Sequence, residues 1–509
     1  MDPLDLLRLR TRRLTEGRNV VTRGRDYVLC WLQQALRGDD NPTIDAAIAL
    51  GNERRLPVVV LHTLENRYPY ASHRIHRFML EASRELGPDV EARGLRFVRW
   101  VRQRDADPST VELAGRLAER AAAVVLDDVP LFVTRTYADA LAETIPRAVL
   151  AVDACCAVPM NAVDRELGVG AGGAPVTAAR AFRSASTPLR KALMLPDLTQ
   201  TPELARFDGD LDPGPDADGE PLAWTTLPDD DTELDALIAG CGVDMSVPPS
   251  PLFSGARSAA RARLAFSLRE VVPRYKWTRN NPALPESTAR LSPWLHFGVL
   301  SPNEIARAVL RAEQEEGLHA AARWKFLDET LTWRELSYHR ARHEPDFARW
   351  DGLPAPARKT LLKHAADPRP AELSLHALAR AESPDETWNA AQTQFTADGW
   401  MHNNLRMYWV KQILRWRADP REAWAAACVL NDRFSLDGRD PATYGGIRWG
   451  FGEAKKGYRE VKIYGWVAPK GSGALRKRDG VPVWLAETAA RPVPDVAALD
   501  EAQAFAPYL

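Results

Sequence analysis

Two tryptophans in the segment MHNNLRMYWVKQILRWR (residues 401–417) have a spacing that could serve electron transfer. Trp409 and Trp416 are seven residues apart. In a helix this is close to two turns, so both rings project from one face with about 10 Å of rise between them. Large aromatic side chains at helical spacing usually belong to a core, and that interpretation stands beside the one of a path for electrons.

Two other short motifs have the composition of ligand sites. HRARH (339–343) places two histidines four residues apart, but it lacks the glutamate of HExxH and a third ligand. We interpret it as a solvated, basic helix face, and we predict no metal site. GVGAGG (168–173) is glycine-rich like a phosphate-binding loop, but it follows helix-like NAVDREL rather than a strand. We predict a flexible loop there.

The composition is that of a globular protein with more than one domain. A chain of 509 residues with 45% hydrophobic residues exceeds one ordinary core, so two or three domains are expected. The longest apolar runs, such as LPVVVL (56–61), are too short to cross a bilayer, and the first residues lack a secretory signal. Five cysteines without a CxxC pair argue against a disulfide scaffold. We predict a cytoplasmic protein without membrane association.

Charge is distributed unevenly along the chain, although the formal net charge is only −1. Residues 205–234 hold much of the acid. The segment 439–478 is basic and carries Arg439, Arg448, Lys455, Lys456, Arg459, Lys462, Lys470, Arg476, Lys477 and Arg478. This segment is either a solvated tail or, because aromatic residues lie among the cations, a surface that contacts phosphates.

The order of sequence patterns predicts the fold class. Up to about residue 160, buried-strand runs alternate with amphipathic helix patterns, which predicts a parallel sheet covered by helices. A Pro/Gly/Asp-rich linker follows near 205–231, and from about 251 the patterns are helical, with REVKIYGWV (459–467) as a candidate strand. We predict a Rossmann-like α/β domain (1–195), a linker (196–250), an all-α domain (251–480) and a C-terminal tail (481–509).

Four motifs resemble the photolyase/cryptochrome family. They are LSPWLHFG (291–298), WNAAQ (388–392), MHNNLRMYW (401–409) and LNDRFSLDGRDP (430–441). The chain is most similar to the class II cyclobutane pyrimidine dimer photolyases, and the likeness covers nearly its whole length. The resemblance implies a helical domain that binds FAD, active in its reduced form, and light-driven repair of pyrimidine dimers in UV-damaged DNA. It also implies a monomer with a second, deazaflavin-type antenna chromophore in the N-terminal domain.

The resemblance implies a set of FAD-binding residues. Arg406 and Asp437 match an ion pair beside the isoalloxazine ring, and Asn431 matches a neutral amide near the flavin N5. Thr288 to Ser292 match a segment whose hydroxyl and backbone N–H groups cradle the diphosphate. The complete set implied is Tyr275, Thr288, Ala289, Arg290, Leu291, Ser292, Asn403, Arg406, Asn431, Asp437 and Arg439.

It also implies substrate-binding residues and an electron path. Glu329 matches a glutamate that hydrogen-bonds the dimer, Trp333 and Trp449 match aromatics that flank it, and Met407 matches a methionine beneath it. Trp409, Trp388 and Trp416 match the first, middle and last members of an electron-transfer triad that leads from flavin to solvent. Each has an alternative: Glu329 as a surface charge and the apolar side chains as core.

Two stretches depart from the class II pattern. GWMHNN (399–404) is closer to the GWMHN of class I photolyases and cryptochromes, and the residues after Trp449 keep basic character without the class II motif. The second departure and the lack of net positive charge keep open an alternative function, a cryptochrome-like blue-light photoreceptor that repairs nothing.

Overall fold

The apolar runs in the first part of the chain form the parallel sheet that their pattern predicts. The computed structural model describes residues 2–15, 24–170, 173–453 and 457–509, so Lys455, Lys456 and the middle of GVGAGG lie outside the described residues. The strands are β1 (Thr11–Arg13), β2 (Tyr27–Leu32), β3 (Val58–Leu64), β4 (Arg96–Val101), β5 (Ala121–Asp127) and β6 (Ala148–Val152).

The strands are ordered β1-β6-β5-β2-β3-β4, and every neighbouring pair except β1–β6 is parallel. From β2 the chain continues to β3 and β4 on one side, and from β5 to β6 on the other, which makes the carboxyl ends of β2 and β5 a topological switch point. Asp127 at the end of β5 accepts hydrogen bonds from the backbone N–H groups of Gln33, Gln34 and Ala35, which fixes the loop after β2 at this edge.

Helices cover both faces of the sheet and continue into the linker. Polar N-caps begin several of them; the Ser109 side chain, for example, accepts from the Glu112 N–H in a capping box. The helices of this part are α1 (Pro3–Arg10), α2 (Pro42–Arg54), α3 (His73–Ala92), α4 (Thr110–Ala118), α5 (Phe132–Thr144), α6 (Met160–Leu167), α7 (Ala179–Leu193) and α8 (Asp231–Gly240).

From residue 257 the described chain is helical. The helices are α9 (Arg257–Glu270), α10 (Tyr275–Thr278), α11 (Ser292–His296), α12 (Pro302–Glu315), α13 (Ala320–Asp328), α14 (Arg334–His343), α15 (Ala355–Lys363), α16 (Leu375–Ala379), α17 (Glu386–Asp398), α18 (Asn403–Trp416), α19 (Pro420–Phe434), α20 (Pro441–Gly450), α21 (Gly473–Arg476), α22 (Val481–Ala489) and α23 (Glu501–Phe505). A π-helical turn, Glu329–Trp333, joins α13 to α14. No described helix combines the length and apolarity needed to cross a bilayer.

One hydrophobic core crosses the boundary between the two halves. Phe78 of α3 packs against Phe297, with ring centroids 5.1 Å apart, within a cluster that also holds strand residues such as Val28. Gly298 makes this approach feasible: its φ is +61°, and a Cβ there would lie 2.8 Å from Ala35 Cα. The sheet and the helices are therefore parts of one packed body.

Two local predictions are wrong. REVKIYGWV is a turn closed by a single bridge between Val461 and Gly465, because described residues offer it no neighbouring strand. HRARH is not a solvated face: His339 is buried and the His343 side chain is 8% exposed, because α6 packs against this part of α14.

We expect Arg74→Met to lower the free energy of unfolding by about 3 kcal/mol. The buried Arg74 guanidinium on α3 donates to the backbone oxygens of Pro248, Phe434, Thr396 and Ala397, so its loss leaves acceptors of the helical half unpaired. Urea unfolding at neutral pH measures the change.

The matched control for this prediction is Arg84→Met on the same helix. Arg84 is partly exposed and pairs with Asp231 at the surface, so we expect a change below about 1 kcal/mol. Equal effects of the two variants would contradict the proposed role of Arg74.

Candidate functional site

Most of the predicted cofactor residues line one cavity in the helical half. The space between its walls is about 1040 Å³, including the part that is open to solvent. The predicted residues in its wall are Tyr275, Thr288, Ala289, Arg290, Leu291, Ser292, Glu329, Asn403, Arg406 and Asp437.

A buried ion pair forms one side of this cavity. Arg406 on α18 donates to Asp437 Oδ1 at 3.1 Å, and also to Asn431 Oδ1 and Ser435 Oγ at 3.3 Å each. Burial alone would raise the pKa of Asp437, but the Arg406 guanidinium and hydrogen bonds outweigh it and hold the pKa below its usual value. The pair therefore stays charged at neutral pH.

The segment 288–292 forms a second side and is held in place from behind. Arg263 on α9 donates to the backbone oxygen of Ala289 at 2.9 Å. Arg290 has a left-handed backbone (φ +55°), and its guanidinium lies 5.1 Å from the centroid of the Trp400 ring. These contacts place the Arg290 and Ser292 side chains in the cavity wall.

The cavity has donors that described residues do not use. The Nε atoms of Arg406 and Arg290 are buried without a hydrogen-bond partner among the described residues, although both side chains line the cavity. Buried N–H groups without partners are rare and costly. The donor set therefore fits a ligand with many acceptors, such as a flavin dinucleotide with its diphosphate.

Glu329 lies in the same wall, where the π-helical turn begins. Its carboxylate pairs with Lys325 Nζ at 2.5 Å and Arg279 Nη1 at 3.0 Å, and its side chain is 25% exposed. It is therefore neither an isolated surface charge nor a group in an apolar pocket. A ligand that hydrogen-bonds Glu329 would share it with two cations.

The other predicted substrate residues surround the cavity without forming its wall. Met407 lies beside Gly446 of α20, where a Cβ would be 3.3 Å from Met407 Cε, and Gly446 lines the cavity. Trp333 ends the π-helical turn and is 43% exposed. Trp449 lines a neighbouring cavity of about 670 Å³ together with Trp466.

The three predicted triad tryptophans form a continuous row. Trp409 and Trp388 stack in parallel with centroids 6.3 Å apart, and Trp388 meets Trp416 edge-on at 5.1 Å. Asp385 caps α17 and so sets Trp388 in its first turn. Phe395 connects the row to the cavity, because it contacts Trp409 on one side and the Arg406 guanidinium on the other.

The far end of the row differs from the expected exit to solvent. Trp416 is only 1% exposed. The next residue, Arg417, pairs with Glu501 at 2.9 Å and lies over the Phe505 ring, so α23 packs beside the end of the row.

Two predicted cofactor residues lie outside the wall of this cavity. Asn431 is buried behind it, where it accepts from Arg406 and donates to Thr443 at 3.2 Å. Arg439 lines a different cavity of about 630 Å³ at the switch point of the sheet. There its guanidinium stacks on Tyr68 and donates to the Pro69 oxygen at 2.7 Å.

Several wall residues were not predicted. They are Leu295, Ile305, Phe326, Thr330, Arg334, Trp400, Met401, Ala442, Thr443 and Gly446. Met401 is the first residue of the quoted motif MHNNLRMYW, and Trp400 directly precedes it. Thr443 and Gly446 lie three residues apart on one helix face, which is a signal that could have found them.

Comparison with known proteins identifies the family. A family model described as DNA photolyase matches residues 28–192. The "Deoxyribodipyrimidine photo-lyase" of Methanothermobacter thermautotrophicus is 30% identical over 452 residues, which cover 89% of this chain and 92% of that protein. The chain belongs to the DNA photolyase family. The rice protein of the same name is 30% identical over 467 residues, 89% of this chain and 85% of that protein.

A solved family structure confirms the predicted fold class. The crystal structure of a bacterial class III photolyase from Agrobacterium tumefaciens matches with a TM-score of 0.62 and 17% identity. The match covers 96% of this chain and 97% of that chain. The α/β half followed by a helical half is thus the fold of a family member.

We expect Asp437→Asn to destabilise the protein by about 3–5 kcal/mol at pH 7, because it leaves the Arg406 charge buried without a partner. Urea unfolding of the single and double variants measures this effect.

A double-mutant cycle isolates the pair. Arg406→Met in the Asp437→Asn background should cost much less than Arg406→Met alone, because the charge it removes is already unpaired. Additive costs would contradict a coupled ion pair.

Proposed function

We propose that the protein is a light-dependent DNA-repair lyase that uses FAD to split cyclobutane pyrimidine dimers. The observation that carries this proposal is one cavity with unused guanidinium donors, a buried ion pair and Glu329 in its wall, beside which a row of three tryptophans begins. Reduced FAD, when bound and excited by light, would supply the electron that opens the cyclobutane ring and would take it back once the ring is split.

The chain's own residues bind and orient that cofactor. We assign the Arg406–Asp437 pair and Asn431 to the isoalloxazine end of the cavity, where the unused Arg406 Nε–H would donate a hydrogen bond to the flavin. Thr288, Arg290 and Ser292 are assigned to the diphosphate, because guanidinium and hydroxyl groups are its natural donors. Asn403 and Tyr275 complete the wall.

The substrate residues hold the flipped-out dimer. Glu329 orients the dimer by a hydrogen bond to its base edge, and Met407 packs beneath it. Stacking on Trp333 and Trp449 replaces the base stacking that flipping removes, worth about 1–3 kcal/mol per base. Trp333 is exposed, which is consistent with an aromatic ring available for stacking, and Trp449 is partly exposed.

The mouth of the cavity has the character of a DNA-binding surface. Arg478, the last residue of the basic segment, donates to the Asn280 oxygen, and Asn281 donates to the backbone oxygen of the adjacent Asp479. Residues 280 and 281 follow α10. Trp277 on α10 is 59% exposed, and Lys276 Nζ lies 5.7 Å from its ring centroid. Cations beside exposed aromatic rings suit a phosphate backbone with unpaired bases.

The second cavity, at the switch point, is assigned to an antenna chromophore. It is bordered by apolar and aromatic side chains such as Phe132 and Phe297, and ligands of open α/β sheets bind at this edge. We propose a deazaflavin-type chromophore there, with Arg439 as a contact residue for this second ligand.

We expect Glu329→Ala to lower the rate of dimer repair about 10- to 100-fold, the cost of losing one hydrogen bond to a charged group. The assay uses purified, photoreduced protein and an oligonucleotide with one thymine dimer, in blue light and in darkness. Recovery of thymine absorbance measures repair.

The control is Glu316→Ala. Glu316 is exposed, and its carboxylate has no partner among the described residues, so its loss should leave repair unchanged. A wild-type protein that binds FAD and undergoes photoreduction but repairs nothing would overturn the proposal. That result would favour the cryptochrome-like photoreceptor instead.

We expect Trp388→Phe to reduce light-driven flavin reduction to a small fraction of the wild-type rate, because Trp388 is the only member of the row that contacts both other tryptophans. Absorbance during illumination with an external thiol measures this rate. Repair by chemically reduced protein should remain at the wild-type level, and its loss would indicate a structural role for Trp388.

A further inference from the structure

A third cavity lies where α6 of the α/β half meets α14 of the helical half. Its volume is about 1010 Å³, and it takes no part in the site described above. Its wall carries four guanidinium groups, those of Arg12, Arg135, Arg165 and Arg342, against the carboxylates of Asp128 and Asp164. The lining residues therefore carry an excess of two positive charges, with histidines counted as neutral.

The two carboxylates are already engaged. Asp128 receives two hydrogen bonds from Arg12, both at 2.7 Å. Asp164 accepts from His339 Nδ1 at 3.0 Å and lies 3.1 Å from His343 Nε2. Burial opposes its ionisation, but these partners and Arg342 lower the pKa of Asp164 to about 2. Both carboxylates are thus charged and paired.

The positive charges of the other three arginines have only distant carboxylate partners or none among the described residues. Arg342 donates to the neutral Asn161 and stays 3.6 Å from Asp164 and 3.8 Å from Asp128. Arg135 lies 3.6 Å from the exposed Asp139, a residue outside the cavity wall. Arg165 forms no ion pair with any described residue. Three guanidinium groups in one wall thus keep donors for a ligand.

The cluster of Asp164, His339 and His343 could be read as a metal site, but its hydrogen bonds oppose this. The Val176 N–H donates to His339 Nε2 at 3.1 Å, so a neutral ring carries its proton on Nδ1 and donates it to Asp164. A protonated Nδ1 has no lone pair for a metal ion. Nearby guanidinium groups would also repel a cation.

We propose that this cavity binds a phosphate-class oxyanion with two negative charges, such as inorganic phosphate or the phosphate of a nucleotide. Guanidinium groups pair with tetrahedral oxyanions through forked hydrogen bonds, and two added charges would balance the excess in the wall. Arg165 belongs to α6 and Arg342 to α14, so the bound anion would link the two halves of the protein.

Calorimetric titration of the full chain with phosphate, AMP or malonate tests this proposal. We expect saturable binding of phosphate or AMP with a dissociation constant below about 1 mM, and weaker binding of the dicarboxylate malonate. The phosphate-class ligand should also raise the melting temperature. A preference for phosphate or for AMP would distinguish a free ion from a nucleotide as the source.

Arg165→Gln and Arg342→Gln should each weaken binding by about tenfold or more. Arg165 is exposed, so its substitution does not threaten folding, and Arg349→Gln is a control with the same charge change outside the cavity. Absence of saturable binding, malonate binding as tight as phosphate, or equal affinity in all three variants would overturn the proposal. None of these outcomes depends on repair activity.

Discussion

The buried Arg406–Asp437 pair is the constraint on which the helical half depends. One guanidinium joins α18, the end of α19 and the following turn, because it donates to Asn431, Ser435 and Asp437. A charge so deeply buried is tolerable only while its carboxylate partner is in place. The same residue forms part of the cavity wall and, through Phe395, touches the start of the tryptophan row. The candidate cofactor cavity and the tryptophan row therefore both depend on one buried ion pair.

The two halves are joined by polar groups as well as by apolar packing. Arg37 in the loop after β2 donates to Gly298 of the helical half and to Ala154 of its own half. Arg334 at the start of α14 reaches back to the Cys155 oxygen at 2.8 Å. Because α14 continues directly from the turn that carries Glu329 and Trp333, these contacts fix the position of that turn relative to the sheet. The residues proposed to bind the substrate are thus anchored on both halves.

Local patterns predicted most of the fold, and the family resemblance predicted many of the residues that line the candidate cavity. The failures involve long-range contacts. The parallel strands and long helices follow from hydrophobic periodicity, whereas β1 has only three residues and exists because β6 pairs with it. The prediction that HRARH is solvated is wrong because its partner Asp164 is 175 residues away from His339 in sequence. The ion pair of Glu329 with Lys325 could be predicted from their spacing of four residues in a helix. The ion pair of Glu329 with Arg279 could not, because Arg279 is distant in sequence. A sequence motif does not show which distant residues its members contact. Arg439 belongs to the motif LNDRFSLDGRDP, but its guanidinium lies over the ring of Tyr68 in the α/β half.

Because one core crosses both halves, the acidic segment 205–231 is not what holds them together. Residues 205–230 are mostly exposed and contain no helix, so they are a natural place for a protease to cut. A cut there would remove a covalent tether but none of the packing between Phe78 and Phe297 or the bonds of Arg37 and Arg74. The nicked chain would remain one particle that separates into two fragments only under denaturing conditions. Covalent continuity and structural continuity are therefore separate properties in this protein, and the packed interface supplies the second.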